Sequence, residues 1–153
     1  AGITGHSGCG FASTRAILAF PDFYKVAVSS AGNHDQRGYQ SYWGEKYQGI
    51  PKAEEEIEAA YGAQINARLA GNLQGKLLLI AGDMDDNVHP ALTFQVVDAL
   101  IAANKDFDLV VLPNRNHGFA NEPYVIRRTW DYFVRHLRGE EPPAGFVITR
   151  PEG

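Results

Sequence analysis

The most restrictive feature of this sequence is Lys76-Leu77-Leu78-Leu79-Ile80-Ala81, a nearly unbroken apolar run of strand length. Successive side chains of a strand point to opposite faces, so this run needs apolar cover on both sides. Strands buried on both faces belong to parallel sheets, whose crossover connections lay helices over those faces. The rest of the chain supplies such elements. Residues 25–30 (Lys-Val-Ala-Val-Ser-Ser) and 107–112 read as further short strands. Residues 11–20 read as a buried helix stopped by Pro21. Residues 90–104 form an amphipathic pattern with Leu92, Val96, Val97, Leu100 and Ile101 on one side. A last helix is expected over 122–137, capped by Asn121, with Ile126, Trp130, Phe133 and Leu137 as its apolar face. Shorter helical pieces are expected at 52–61 and 63–70, with Glu54-Glu55-Glu56 as a solvated face. The tail with Pro142, Pro143 and Pro151 reads as loosely held. Strand and helix alternate, which predicts an α/β fold: about four mostly parallel strands, flanked by helices through right-handed crossovers.

Composition narrows the classes. At 153 residues and 44% hydrophobic content the chain can bury one real core. The net charge is −4 with no basic stripe, which argues against nucleic-acid binding. No apolar run approaches membrane-spanning length. A single cysteine excludes an internal disulfide and a cysteine-rich zinc site. No metal or cofactor is expected.

The stretch Gly5-His6-Ser7-Gly8-Cys9-Gly10 lies between a short strand-like run and the helix at 11–20. A serine among glycines, leaving a strand and opening a helix, has the form of the nucleophile elbow of α/β-hydrolases. The sharp turn lifts the hydroxyl clear of the sheet, and glycine is needed where the backbone crowds. The helix start leaves N–H groups free, so the Gly8 N–H could face a developing oxyanion. One residue departs from the pattern: Cys9 stands where glycine is usual.

In parallel sheets, functional groups gather beyond the carboxyl ends of the strands. Asp83-Met84-Asp85-Asp86-Asn87-Val88-His89 follows the strand at 76–81, and Asn114-Arg115-Asn116-His117-Gly118 follows the one at 107–112. Serine, acid and histidine thus occur in α/β-hydrolase order, each after its own strand. A hydroxyl needs a base to take its proton, and a carboxylate can orient that base. Each residue also has a plainer reading. Asp85, Asp86 and Asn87 could close a turn or cap a helix, and His6, His34 and His89 compete with His117. Asp83, Asp85 and Asn87 have the alternation of a calcium loop, but Val88 replaces its glycine and Phe94 its bidentate glutamate.

These three motifs resemble the catalytic domain of the prolyl oligopeptidase family, especially its dipeptidyl-peptidase-IV-like branch, over about residues 1–137. The resemblance implies a serine peptidase working through an acyl-enzyme, with Ser7 as nucleophile, Asp85 as orienting acid and His117 as base. It implies Tyr39 and Trp43 as aromatic walls of the pocket for the residue before the cleaved bond, with Val88 beside them and Asn87 near the substrate carbonyl. Asn33-His34-Asp35-Gln36 departs from the branch in having no aromatic residue, and Ala81 stands where the branch often has histidine. The family's second oxyanion donor, a tyrosine hydroxyl, and its propeller domain lie upstream of the elbow. The chain is therefore expected to be the C-terminal part of a peptidase catalytic domain. Its expected partners are a peptide substrate, the remainder of a parent chain and, as in family members, a second copy in a homodimer. The rival readings are an acyl-peptide hydrolase or carboxylesterase using the same residues, and an inactive binding or assembly fragment.

Overall fold

The computed structural model describes residues 1–149. Four strands, β1 (Gly2–His6), β2 (Val26–Ser30), β3 (Lys76–Gly82) and β4 (Asp108–Leu112), form one sheet in the order β1-β2-β3-β4. Every pairing is parallel. The helices are α1 (Gly8–Ala19), α2 (Ser41–Gln48), α3 (Glu54–Ala60), α4 (Ala91–Ala102) and α5 (Pro123–Phe133), the last continued by a π turn over Val134–Arg138. Short 3-10 turns join several of them.

The apolar run in β3 sorts by its period of two. Leu77 and Leu79 join Ala27 of β2, Ile17 and Leu18 of α1 and Val96 and Leu100 of α4 in one cluster. Leu78 and Ile80 join Val26, Val28, Leu112, Phe119, and Val125 and Tyr132 of α5 in the other. The sheet is thus covered on both faces, and all five β2 residues are buried. β1 and β4 are the edge strands; none of β1 is fully buried, and Leu109 and Val111 of β4 are exposed.

Several expectations are corrected. The buried residues of α5 are Val125 and Tyr132, not the stripe Ile126-Trp130-Phe133-Leu137. That stripe overhangs the open β1 edge: Phe133, partly packed on the second cluster, and Leu137 lie over Gly2, while Ile126 and Trp130 border a depression beside Thr4, Gly5 and His6. Trp130 consequently remains 60% exposed. Tyr132 can be buried because its hydroxyl donates to Asp108 Oδ2 at 2.8 Å. Burial, reinforced by that carboxylate, raises the phenol pKa. The cap of α5 is Glu122, with Pro123 at the first helical position, and Asn121 belongs to the preceding 3-10 turn. In α4, Thr93 takes a buried place and Ile101 faces out. Residues 54–56 are exposed as expected, but α3 begins only at Glu54, and 63–70 forms 3-10 turns rather than an α-helix. The tail runs back along α5, where Phe146, Val147 and Ile148 approach Tyr124 and Arg127; Pro151 lies outside the described residues.

Candidate active site

His6, Ser30, Ile80 and Val110 occupy one row of the sheet, so the segments after the four strands emerge at the same rim. The first is the turn at Ser7. Its backbone is at φ 59°, ψ −123°, a region a serine rarely adopts and one that costs on the order of 1–3 kcal/mol. Ser7 caps α1, yet its hydroxyl makes no capping hydrogen bond. Capping is what normally makes serine favourable at this position, so the turn forgoes that stabilisation and leaves the hydroxyl uncommitted. The turn is held by Ser7 N–H donating to Ser30 O at 2.9 Å and by Phe11 N–H donating to Ser7 O at 3.0 Å. Glycine is required on both sides of it. A side chain at Gly5 would collide with the Cys9 backbone, and one at Gly10 with the Ser30 carbonyl. Cys9 itself is exposed, which is why it can replace glycine. The first α-helical turn closes at Phe11, so the Gly8 N–H has no intrahelical partner, and nothing crowds Gly8.

The two loops after β3 and β4 are laced together. Asp83 N–H donates to Leu112 O, and Met84 N–H donates to Arg115 O at 3.1 Å. Asp85 lies inside this junction, 3% exposed. Its Oδ1 accepts from the N–H groups of Asn87 at 3.0 Å and Val88 at 2.9 Å. Its Oδ2 meets His117 Nδ1 at 2.8 Å. A carboxylate bonded this way makes Nδ1 the protonated nitrogen of a neutral His117 and leaves Nε2 as the basic one. Asp86, by contrast, is exposed. No hydrogen bond joins Ser7 Oγ to His117 among the described residues, and such bonds commonly tighten only with substrate bound.

The other histidines have different partners. His34 is fully buried, its Nδ1 accepting from Asn66 Nδ2 at 3.0 Å, and burial pushes its pKa down to about 3. His89 Nδ1 accepts from Ala91 N–H at the start of α4. His6, the last residue of β1, joins Ser7's strand to His117's loop. Its Nε2 donates to the His117 carbonyl at 2.8 Å, its Nδ1 pairs with Ser30 Oγ at 2.8 Å, and its ring lies 4.7 Å from the His117 ring. A carbonyl can only accept, so Nε2 carries a proton; in the neutral ring Nδ1 then accepts from the Ser30 hydroxyl, which also lies 3.3 Å from the Gly5 carbonyl. Burial, followed by the neighbouring His117, lowers the His6 pKa and favours this neutral form. Sequence reasoning had His6 only as a competing base; its adjacency to Ser7 at the strand end was the available signal.

Of the residues expected to bind substrate, Tyr39 and Trp43 meet edge to face at 5.7 Å, and Tyr39 donates to Asn87 Oδ1 at 2.9 Å. Val88 is buried rather than exposed as a wall. It is 2% exposed, and its N–H is spent on Asp85. Asn33, His34, Asp35 and Gln36 are all buried. The Asn66 side chain ties this segment to α1 by also donating to Phe11 O at 3.0 Å.

A four-stranded parallel sheet covered by helices, with a strained serine turn, a buried acid and a histidine at its carboxyl rim, is of the α/β-hydrolase class. The sequence matches the prolyl oligopeptidase family over residues 1–140, and the chain belongs to that family. Among curated relatives, mouse prolyl endopeptidase FAP is 29% identical over 119 residues, covering 78% of this chain and 16% of that protein. Mouse dipeptidyl peptidase 8 is 30% identical over 136 residues, covering 89% and 15%. The crystal structure of Porphyromonas gingivalis dipeptidyl peptidase 4 superposes with a TM-score of 0.80 at 28% identity, covering 89% of this chain and 19% of that one. The chain thus spans about a sixth of the length of the curated relatives it matches.

Proposed function

We propose that this chain is the C-terminal part of the catalytic domain of a serine peptidase and carries its nucleophile, base and orienting acid. The observation that carries the reading is the buried Asp85 bonded to His117 Nδ1, at the same rim as a strained serine whose hydroxyl is uncommitted. In this reading Ser7 Oγ attacks the carbonyl carbon of a peptide bond and passes its proton to His117 Nε2. Asp85 holds the ring and stabilises the imidazolium. The oxyanion faces the Gly8 N–H, with a second donor supplied from outside this chain. Collapse breaks the C–N bond, and His117 returns the proton to the departing amine. Water, deprotonated by His117, then attacks the Ser7 ester; the acyl C–Oγ bond breaks, the acid leaves, and His117 returns the proton to Ser7 Oγ. Tyr39, Trp43 and Asn87 contact the substrate beside the cleaved bond. Val88 acts beneath them, by holding Asp85 through its N–H.

The relatives are named as peptidases, and two carry dipeptidyl peptidase in their names, which supports peptide substrates for the full-length protein. The open edge of β1, overhung by Ile126 and Trp130, supports a neighbouring strand from the remainder of a longer chain. Exposed Leu109 and Val111 on the opposite edge strand support a homodimer contact there. Hydrolysis rates of the full-length protein on dipeptide p-nitroanilides, acyl-peptides and simple esters test the substrate class. Preference for the dipeptide amide is expected; ester cleavage with no amide cleavage would make it a carboxylesterase.

A further inference from the structure

We infer that His6 is a positioning residue for the proposed reaction: it ties the backbone of the base His117 to the strand that ends in the nucleophile. This inference rests on the assignment of Ser7 and His117 given above. His117 is gripped at two points by two different elements. Asp85, after β3, holds its ring at Nδ1, and His6, the last residue of β1, holds its carbonyl through Nε2–H. Ring grip alone leaves the loop free to pivot about the side-chain torsions. Fixing the carbonyl as well removes that freedom.

The His6 end of this brace is itself fixed. Ser30 Oγ engages Nδ1, and Phe119 packs edge to face on the ring with centroids 5.1 Å apart. Ser30 also accepts the Ser7 N–H through its carbonyl. One residue of β2 therefore supports both the nucleophile turn and the brace. Because His6 immediately precedes Ser7, any shift of the elbow is carried to the His117 backbone through a single hydrogen bond. Among the described residues, the other hydrogen bonds of the 114–118 loop run to the β3 loop (Met84 N–H to Arg115 O, Arg115 N–H to Asp83), stay within the loop (Gly118 N–H to Asn116 Oδ1), or reach Pro113 O and Glu122 from the Arg115 side chain. None of these refers His117 to Ser7. A misplacement of about 1 Å in a reacting group can cost on the order of 10²-fold in rate.

The test uses side chains that place a donor differently. In the full-length protein, His6→Gln can put its amide N–H near the Nε2 position, whereas His6→Asn is too short and His6→Phe keeps the ring but has no donor. Kinetics on a dipeptide p-nitroanilide should show kcat falling roughly 10–10²-fold in His6→Phe and His6→Asn with KM within about twofold. His6→Gln should stay within about threefold of the wild type. The rate at which a fluorophosphonate labels Ser7 should follow the same order. Wild-type kcat and labelling in His6→Asn, or a loss in His6→Gln equal to that in His6→Asn, overturns the inference while the Ser7 assignment stands. Absence of Ser7 labelling in the wild type overturns both.

Discussion

Replacing Asp85 by Asn separates orientation from packing at this site. Among the described residues the carboxylate makes three hydrogen bonds, two from backbone N–H groups to Oδ1 and one with His117 Nδ1 at Oδ2. An asparagine in the same rotamer keeps the first two, because its carbonyl oxygen can take the Oδ1 place. Its NH₂ then faces Nδ1 and can only donate. His117 must therefore shift its proton to Nε2, the nitrogen that should receive the Ser7 proton. In proteases with this arrangement such a tautomer reversal costs about 10⁴ in kcat. That corresponds to about 5.4 kcal/mol of lost transition-state stabilisation. Folding should suffer far less, since the Asn87 and Val88 N–H groups keep their acceptor. Asp85→Ala should be worse for stability, by about 1–3 kcal/mol, because the buried Val88 N–H loses its acceptor. Asp86→Asn, at an exposed position, should leave kcat within about twofold. The assay is steady-state hydrolysis of a dipeptide p-nitroanilide by the full-length protein, with urea unfolding alongside. Equal losses from Asp85→Asn and Asp86→Asn, or none from either, would refute the reasoning.

Three further outcomes are expected. His34 is held neutral by burial, with a pKa near 3, against 6.5 in an unfolded chain. The unfolded state therefore binds the extra proton below pH 6.5, so His34 costs about 1.4 kcal/mol of stability per pH unit as pH falls towards 3. Urea unfolding at pH 6 and pH 5 should show that slope reduced in His34→Gln, and an unchanged slope contradicts it. Gly5→Ala should disrupt the elbow through its collision with the Cys9 backbone, whereas Cys9→Gly should shift stability by less than about 1 kcal/mol; thermal melts that rank them the other way refute the packing argument. The 153-residue chain expressed alone should self-associate through the open edge of β1, and light scattering that shows a monomer across a dilution series, with slow amide exchange through β1, would show the edge to be self-sufficient.

The parallel sheet was legible because Leu77 to Ile80 are apolar at every position, and only two covered faces accommodate that. The elbow was legible because Gly5 and Gly10 are required by local backbone crowding, which sequence records directly. The pairing of His117 with Asp85 rather than Asp86 followed from the resemblance, and its physical reason is visible only in the structure. Asp85 closes a turn onto two N–H groups and is buried, while its neighbour points to solvent. The outward face of α5 was not legible. Its hydrophobic stripe has the period of a core-facing helix, but the sheet it overhangs ends at β1. Val88 was placed beside the pocket walls by the resemblance; its burial depends on the turn that Asp85 closes, which sequence does not show. The role of His6 depends on a bond to a backbone carbonyl 111 residues away, which no local pattern encodes.

The central claim is that Ser7 is a nucleophile activated by His117. Its most direct test is fluorophosphonate labelling of the full-length protein, with the modified peptide located by mass spectrometry. The account predicts a single phosphonylated residue, Ser7, with labelling lost on heat unfolding and slowed by at least about 10²-fold in His117→Ala. An unlabelled Ser7, or labelling at the same rate in His117→Ala, would contradict it.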